Sequence, residues 1–391
     1  MPRSRRLSEG RRNRRWVCFV AAALVACAGC GNATSNSVGN VAHRAVLVSQ
    51  PVVPVPATID YTGRNDVTDL LQSFIDGLDD SVLVRFHRNG RYRVEGTLFV
   101  TNKTLTFDGQ GATIFATTPG TLERSQWWIT GGEDIVFRNM KVDGANPHAG
   151  IAENAYNRKL EKQHGFRIEG VDGFELDHVT VTDTYGDFVY AARFVQDTNT
   201  NVWIHDCTFT RNGRQGIALV AATGVIIERN SFSLTRRATI DLEPNGPGQL
   251  VSDVFIINNS VGRGRLLFIA SHGSGPVSDV VVSGNQLHHH ILSTDVMSSP
   301  GQRRKNWVFT NNTSDTVSYN RVIRFIDVDG VLVSGNKQPI SGPAEGVTLM
   351  RVCGGTVVNN TFGKGKQVVR IGPTCSATLV MPTLPSIPGR T

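Results

Sequence analysis

From about residue 96 the chain repeats one short pattern: apolar, any residue, apolar, then two or three mostly polar residues, then apolar again. It reads "LTFDGQGA" from 105, "IVFRNMKV" from 135, "FELDHVTV" from 174, "VWIHDCTF" from 202 and "VIIERNSF" from 225. It continues as "VFIINNSV" from 254, "VVVSGNQL" from 280, "WVFTNNTS" from 307, "VLVSGNKQ" from 331 and "GTVVNNTF" from 355. The two-residue alternation is that of a strand with one buried face. Successive copies recur at steps of 30, 39, 28, 23, 29, 26, 27, 24 and 24, which is the period of a repeat architecture. Each unit holds two or three short strands and no helical period, so leucine-rich and helical repeats are excluded. A propeller blade needs ~40 residues and four strands, and the six-residue period of a left-handed hexapeptide coil is absent. The pattern therefore predicts an all-β fold, a right-handed parallel β-helix solenoid of about ten coils, one coil per repeat.

One column of the repeat is asparagine six times running: Asn230, Asn259, Asn285, Asn312, Asn336 and Asn360. Stacked coils place equivalent positions ~4.8 Å apart. Asparagine tolerates the left-handed backbone of a tight corner, and its amide can bond the next amide in the stack. The column is expected to be structural, as are His205 and Cys207, which occupy repeat positions. The one long step comes from an insertion, residues 144–163, expected to project over a binding face. Ahead of the coils, Asp66 is expected to cap a short helix with apolar residues at Val67, Leu70, Leu71, Phe74, Ile75 and Leu78.

The start of the chain changes the charge picture. Arg3, Arg5, Arg6, Arg11, Arg12, Arg14 and Arg15 precede the apolar run "WVCFVAAALVACAG", a basic region and hydrophobic region of an export signal. Leu24-Val25-Ala26-Cys27 resembles the lipobox of bacterial lipoproteins, and the frame ending at Cys30 is a second fit. Residues 1–30 are thus expected to be a lipoprotein signal region, lipidated at Cys27 or Cys30, and residues 31–57 a flexible tether. Residues 58–375 form the β-helix domain and 376–391 a Pro-rich tail. The formal charge of +7 falls close to neutral beyond Ala26, because those seven arginines and only one acidic residue, Glu9, precede it. The high pI is therefore no footprint of nucleic acid, and none is expected as a partner. The protein is expected to be exported, membrane-anchored and monomeric. Cys353 and Cys375 could pair, lying close together in an exported chain; no metal-finger spacing is present.

The stretch "IDYTGRNDVTDLLQSFIDGL…VRFHRNGRYRVEGTLFV", with Gly90, Tyr92 and Val94, followed by the coils, resembles the pectate-lyase-like β-helix superfamily over about residues 58–375. That resemblance implies the fold and a polysaccharide partner. The superfamily holds lyases, glycoside hydrolases, epimerases, depolymerases and members with no known chemistry.

Candidate chemistry comes from polar residues recurring at the coil period. His164, Asp187, Gln215, Asp241 and His272 follow one another at steps of 23, 28, 26 and 31, so they are expected to form one vertical stripe on a single sheet. Around them stand Tyr185, Arg214, Arg237 and Glu243. In "RRATIDLEPNG", Ile240 and Leu242 alternate with Asp241 and Glu243, placing the two carboxylates on one strand face with Cβ atoms ~6–7 Å apart. Asp241, Glu243, Asp187, Arg237 and His272 are the candidate catalytic residues; His164, Tyr185, Arg214 and Gln215 are the candidate substrate-binding residues. Hydrolysis by inversion would use Asp241 with Glu243, or Asp187 with Asp241. "SHG" at 271–273 is similar to the Gly-His-Gly motif of polygalacturonases, whose other motifs are not matched here. Elimination would use Arg214 or Arg237 as base, with Asp187, Asp241 and Glu243 as Ca2+ ligands. No cofactor is required by the sequence. The rival is a surface module that binds glycan, or a partner, without turnover. Adjacent His288, His289 and His290 point different ways on any strand and are not assigned to metal. Trp127 and Trp128 are expected to pack on the first coils.

Overall fold

The computed structural model describes residues 50–385, apart from 196, 300, 365, 373, 374, 376 and 377. The export signal, Cys27, Cys30 and residues 31–49 of the expected tether lie outside the described residues. The chain winds through three parallel sheets of twelve, twelve and eleven strands. We call them A, B and C in the order one coil visits them. A single coil runs Ala222–Glu228 in sheet A, Ser231–Ser233 in sheet B and Ile240–Leu242 in sheet C, then re-enters sheet A at Val251–Ile257. The all-β right-handed parallel helix anticipated from the repeat is the architecture found. The described helices are α1, Thr68–Asp76, and one 3-10 turn, Glu153–Ala155.

Inward side chains of all three sheets form one core. In the coil just named Val225, Ile227, Phe232, Ile240 and Leu242 are essentially inaccessible. Helix α1 closes the N-terminal end. The N-cap position is Val67, not Asp66 as expected; Asp66, one residue earlier, accepts hydrogen bonds from the Thr68 amide and hydroxyl at 3.0 and 2.6 Å and braces the first turn from outside. Val67, Leu71, Ile75 and Leu78 are buried beneath it, whereas Leu70 is 57% exposed and Phe74 only half-buried. The apolar stripe is therefore narrower than the sequence suggested, because a two-turn helix over one coil has room for a single line of contacts. The tether also ends earlier than expected: Val52–Pro54 already forms a strand, paired with Val82–Arg85. At the other end Cys353 and Cys375 are disulfide-bonded. The described part of the tail crosses outside sheet A, with Leu379 against Gly330 and Pro385 against Gly224.

The asparagine column lies inside the corner between sheets A and B. The Asn285 side chain donates to the Ile256 carbonyl at 2.9 Å and to Asn312 Oδ1 at 2.8 Å. Its own Oδ1 accepts the Asn259 backbone N–H at 2.9 Å and the Asn259 side-chain amide at 3.0 Å. The same pattern repeats from Asn230 to Asn360. The amide stacking is as expected, but the left-handed residue is the one before each ladder asparagine: Arg229, Asn258, Gly284, Asn311, Gly335 and Asn359. That residue turns the chain, and the turn aims the next side chain inward. Cys207 continues the ladder downward, its N–H bonded to Asn230 Oδ1 at 2.9 Å and its Sγ accepting the Val179 N–H at 3.4 Å.

Asn285→Leu would orphan the buried donor groups of Asn259 and the Ile256 carbonyl. Each such loss costs about 1–3 kcal/mol, so the variant is expected to lower the thermal midpoint by many degrees. An unchanged melt would mean these amides carry no stability.

Candidate functional site on sheet C

Sheet C is built from the strands Phe166–Glu169, Val189–Ala192, Ile217–Leu219, Ile240–Leu242 and Ile269–Ser271, continuing on both sides. Phe166, Val189, Ile217, Ile240 and Ile269 pair in register and point inward. The next residue of each strand faces out, giving the column Trp128, Arg167, Tyr190, Ala218, Asp241, Ala270, Asp295 and Arg324. His164, Asp187 and Gln215 stand two residues before the inward set, where the fourth member is Ala238. Asp241 is thus one column over from the expected stripe. His272 and Glu243 align with each other in a third column, three residues beyond Ile269 and Ile240.

Two side chains join the columns. Arg214 reaches Asp187 Oδ2 at 2.6 Å, Glu243 at 3.6 Å and Glu161 of the insertion at 3.7 Å. Gln215 donates from its side-chain amide to Asp241 Oδ2 at 2.6 Å, while its Oε1 accepts the Ala238 N–H at 2.8 Å. Asp187 is fully buried; its Oδ1 accepts the Gln215 N–H at 2.8 Å. Burial pushes its carboxyl up to about 6 against the pull of Arg214, so near neutral pH it is the anion of an ion pair. Asp241 is 4% exposed, and burial together with the charges of Glu243 and Asp187 pushes it up to about 7. Asp241 Oδ2 already accepts the amide of Gln215, which leaves its other oxygen to carry the proton. Glu243 stands at the surface with its side chain 27% exposed.

The remaining candidates are placed less directly. His164 is buried; its Nδ1 accepts the Asp187 N–H at 3.0 Å, and its ring stacks flat on Tyr190 at 4.6 Å. Burial and the cations Arg214, Arg167 and Lys162 hold it well below the usual histidine range, so it is a neutral packing group rather than a surface contact. Tyr185 is buried within electrostatic reach of Arg124 and is not bonded to Asp241. Arg237 lies over the Tyr156 ring of the insertion at 5.4 Å. His272 pairs with Asp295 at 3.2 Å, which raises its affinity for a proton, and Asp295 is also gripped by Arg324. Of the two tryptophans, Trp127 is core, whereas Trp128 faces out with Arg167 3.7 Å above its ring.

The insertion forms one wall. Tyr156 donates to Glu161 at 2.6 Å, Glu153 bridges Arg236 and Arg265, and Arg265 donates to the Ile151 carbonyl at 3.0 Å. Tyr190, Asp295, Glu161 and Tyr156 belong to the site and were not anticipated. So does Arg304, fully buried, which donates to Ser271 Oγ at 2.8 Å and the Gly273 carbonyl at 2.9 Å. Burial lowers it to about 10, with Asp241 the charge that opposes this. A surface depression of about 520 Å³, lined by Arg88, Gln110, Lys141 and His178, lies away from this face.

The geometry agrees with known folds. A family model described as "Right handed beta helix region" matches residues 128–313. The fold is shared with PfbA, a surface adhesin of Streptococcus pneumoniae, at 16% identity over 82% of this chain and 93% of that one, TM-score 0.57. An exopolygalacturonase from Thermotoga maritima matches at 14% identity over 83% of this chain and 94% of that one, TM-score 0.56. The chain therefore has the right-handed parallel β-helix fold of these structures. The tailspike of E. coli bacteriophage HK620, solved with a pentasaccharide, matches at 10% identity over 84% of this chain and 64% of that one, TM-score 0.57. At these identities the likeness is one of fold. No curated protein matches the sequence of this β-helix.

Because Asp241 binds its proton more tightly folded than unfolded, its contribution to stability is fully present below about pH 4 and is lost as pH rises to about 7. Asp241→Asn removes that loss. Its stability relative to the parent β-helix is expected to improve by up to about 4 kcal/mol between pH 4 and 7 and to stay level above. Melts across that range check this; a constant difference would mean the carboxyl is not held protonated.

Proposed function

We propose that the sheet C face binds an extended glycan and hydrolyses it with Asp241 as acid and Glu243 as base. One observation carries this: two carboxylates two residues apart lie in different environments, Asp241 buried and shifted to about 7, Glu243 only half-buried and paired with Arg214. Such a split is how a site keeps an acid and a base together near neutral pH. Asp241 would give its proton to the glycosidic oxygen, and Glu243, partly exposed and held 3.6 Å from Arg214, would activate the attacking water. Two residues apart on one strand face, their Cβ atoms stand ~6–7 Å apart, and inversion requires carboxyl groups ~6.5–9.5 Å apart so that a water fits between the sugar and the base. Arg214 orients both Glu243 and Asp187, and the insertion wall with Tyr156 and Arg237 borders the bound chain. The exopolygalacturonase and the tailspike with its pentasaccharide support a glycan partner by fold.

Elimination is less well supported. Arg214 sits among three carboxylates that push its proton affinity further up, the opposite of what a base requires. Nor does the donor set fit Ca2+, since Asp187 spends its oxygens on Arg214 and the Gln215 amide. Binding without turnover is the second reading, favoured by the charge pairing across the face and by likeness to an adhesin.

The test is a glycan panel read for reducing ends and for unsaturated-uronate absorbance together. Reducing ends alone are expected. Asp241→Asn and Glu243→Gln should each lower turnover about 10²-fold or more while glycan binding persists. Absorbance with reducing ends would make the protein a lyase, and binding with neither signal would make it an adhesin-like module.

We also propose that the chain is exported and lipid-anchored through Cys27 or Cys30. Replacing both by serine is expected to move the protein from the membrane fraction to the soluble one; retention in membranes would refute the anchor.

A further inference from the structure

A second cluster of ionisable side chains lies on the outside of sheet A, on a different sheet from the Asp241 group. The strands Asp172–Asp177, Asn199–His205 and Ala222–Glu228 pair so that Asp177, His205 and Glu228 are stacked, with Glu175, Trp203 and Ile226 stacked beside them. The residue after each of the first set, His178, Asp206 and Arg229, is left-handed and turns back toward the same edge.

His205 is the centre. Its ring stacks on Trp203 at 3.8 Å and its side chain is only 7% exposed, so its orientation is fixed by packing. Nδ1 lies 2.8 Å from Asp206 Oδ2 and 3.7 Å from Asp177 Oδ1. Nε2 lies 3.1 Å from Glu175 Oε1. One nitrogen therefore faces two carboxylates from adjacent coils, and the other is held by a third carboxylate from behind. Those three facing atoms lie within 4.8 Å of one another.

We propose that Asp177, His205 and Asp206 bind one divalent transition-metal ion of the Zn2+ or Co2+ class. An imidazole nitrogen with two carboxylate oxygens is a borderline donor set, suited to such ions rather than to Ca2+ or Mg2+, which take oxygen alone. Glu175 supplies the carboxylate–histidine bond that commonly orients a metal-bound imidazole and fixes its tautomer. The charge balance favours a cation. Glu175, Asp177, Asp206 and Glu228 face Arg229, which bonds Glu228 and both oxygens of Asp206; unlike the less exposed Arg214, its side chain is 43% exposed and can swing away, so that the ion would take Oδ2 in its place. Arg138, in register with Asp177, is turned to Asp108. His178 bonds the same Asp177 oxygen from the exposed edge, placing a second imidazole beside the ion. The ion would tie two neighbouring coils together, on residues that take no part in the sheet C chemistry.

The experiment uses the full, untagged chain stripped with chelator, then titrated with Co2+ by visible absorption and with Zn2+ by calorimetry. One ion per chain is expected, with a Co2+ band that Zn2+ displaces. His205→Gln and Asp177→Asn should each weaken binding more than tenfold, while Asp241→Asn and His289→Ala leave it unchanged. Should His205→Gln fail to fold, Glu175→Gln decides, since it leaves every ligand in place and is expected to weaken binding about 10–100-fold. Absence of a Co2+ band and of Zn2+ heat overturns the proposal. So does undiminished binding in His205→Gln or Glu175→Gln, or loss of the ion in His289→Ala.

Discussion

A buried side-chain amide that bonds the coil before it and the coil after it removes the one freedom a parallel solenoid would otherwise keep. Parallel strands of alternating character can slip by two residues and still bury the same face. The ladder forbids this, because Asn285 must find a carbonyl of one coil and an Oδ1 of the next at the same time. With register fixed, residues a whole coil apart in sequence become neighbours ~4.8 Å apart. That register, with side chains reaching across columns, brings Asp187, Gln215 and Asp241 together across three coils.

Register also sets what each outer column can hold. Two like charges on adjacent coils, about 4.8 Å apart, repel by roughly 3 kcal/mol at an effective dielectric near 20. The Asp241 column avoids this with spacers. Ala218 precedes Asp241 and Ala270 separates it from Asp295, which is followed by Arg324. The charges that remain close are brought together by side chains reaching across columns, and there Arg214 stands among the carboxylates of Asp187, Glu243 and Glu161. Asp241 receives an amide from Gln215 instead of a guanidinium, which is why burial moves it so far. The neutral donor and the charged one, supplied by consecutive residues, divide one acidic cluster into a proton carrier and a fixed anion.

The coil period, the asparagine column, the capping helix and the bonded cysteines were legible in the sequence because each is a short-range pattern repeated or tightly spaced. The stripe of candidate groups was legible only in composition. The step from Gln215 to Asp241 resembled a coil, but the strands pair Ile217 with Ile240, a shorter step. Turns between sheets B and C vary in length, so polar markers drift while the inward apolar residues do not. Counting from those apolar residues would have put Ala238, and not Asp241, beside Gln215. Arg304 was hidden for another reason: within "GQRRKNW" it looks like solvated surface, and only the turn to Ser271 and Gly273 carries it inside.

The stack is sealed in two ways, and the Asp241 group lies where they meet. In the first coils the corner that later holds asparagine carries Ala112, Met140 and Val179, and the interior is filled by rings such as Phe107 and Phe137, stacked at 4.6 Å. Ring packing is strong but non-directional. From Cys207 onward the corner becomes a ladder of directed bonds. The corner residue of the Asp187 coil is Val179, of the Gln215 coil Cys207, and of the Asp241 coil Asn230. Burying Asp187 and Asp241 opposes folding, and the 2.6 Å bond from Gln215 to Asp241 survives only if their coils cannot shift. The aromatic coils supply much of the apolar burial that offsets the first problem, and the start of the ladder supplies the alignment that solves the second.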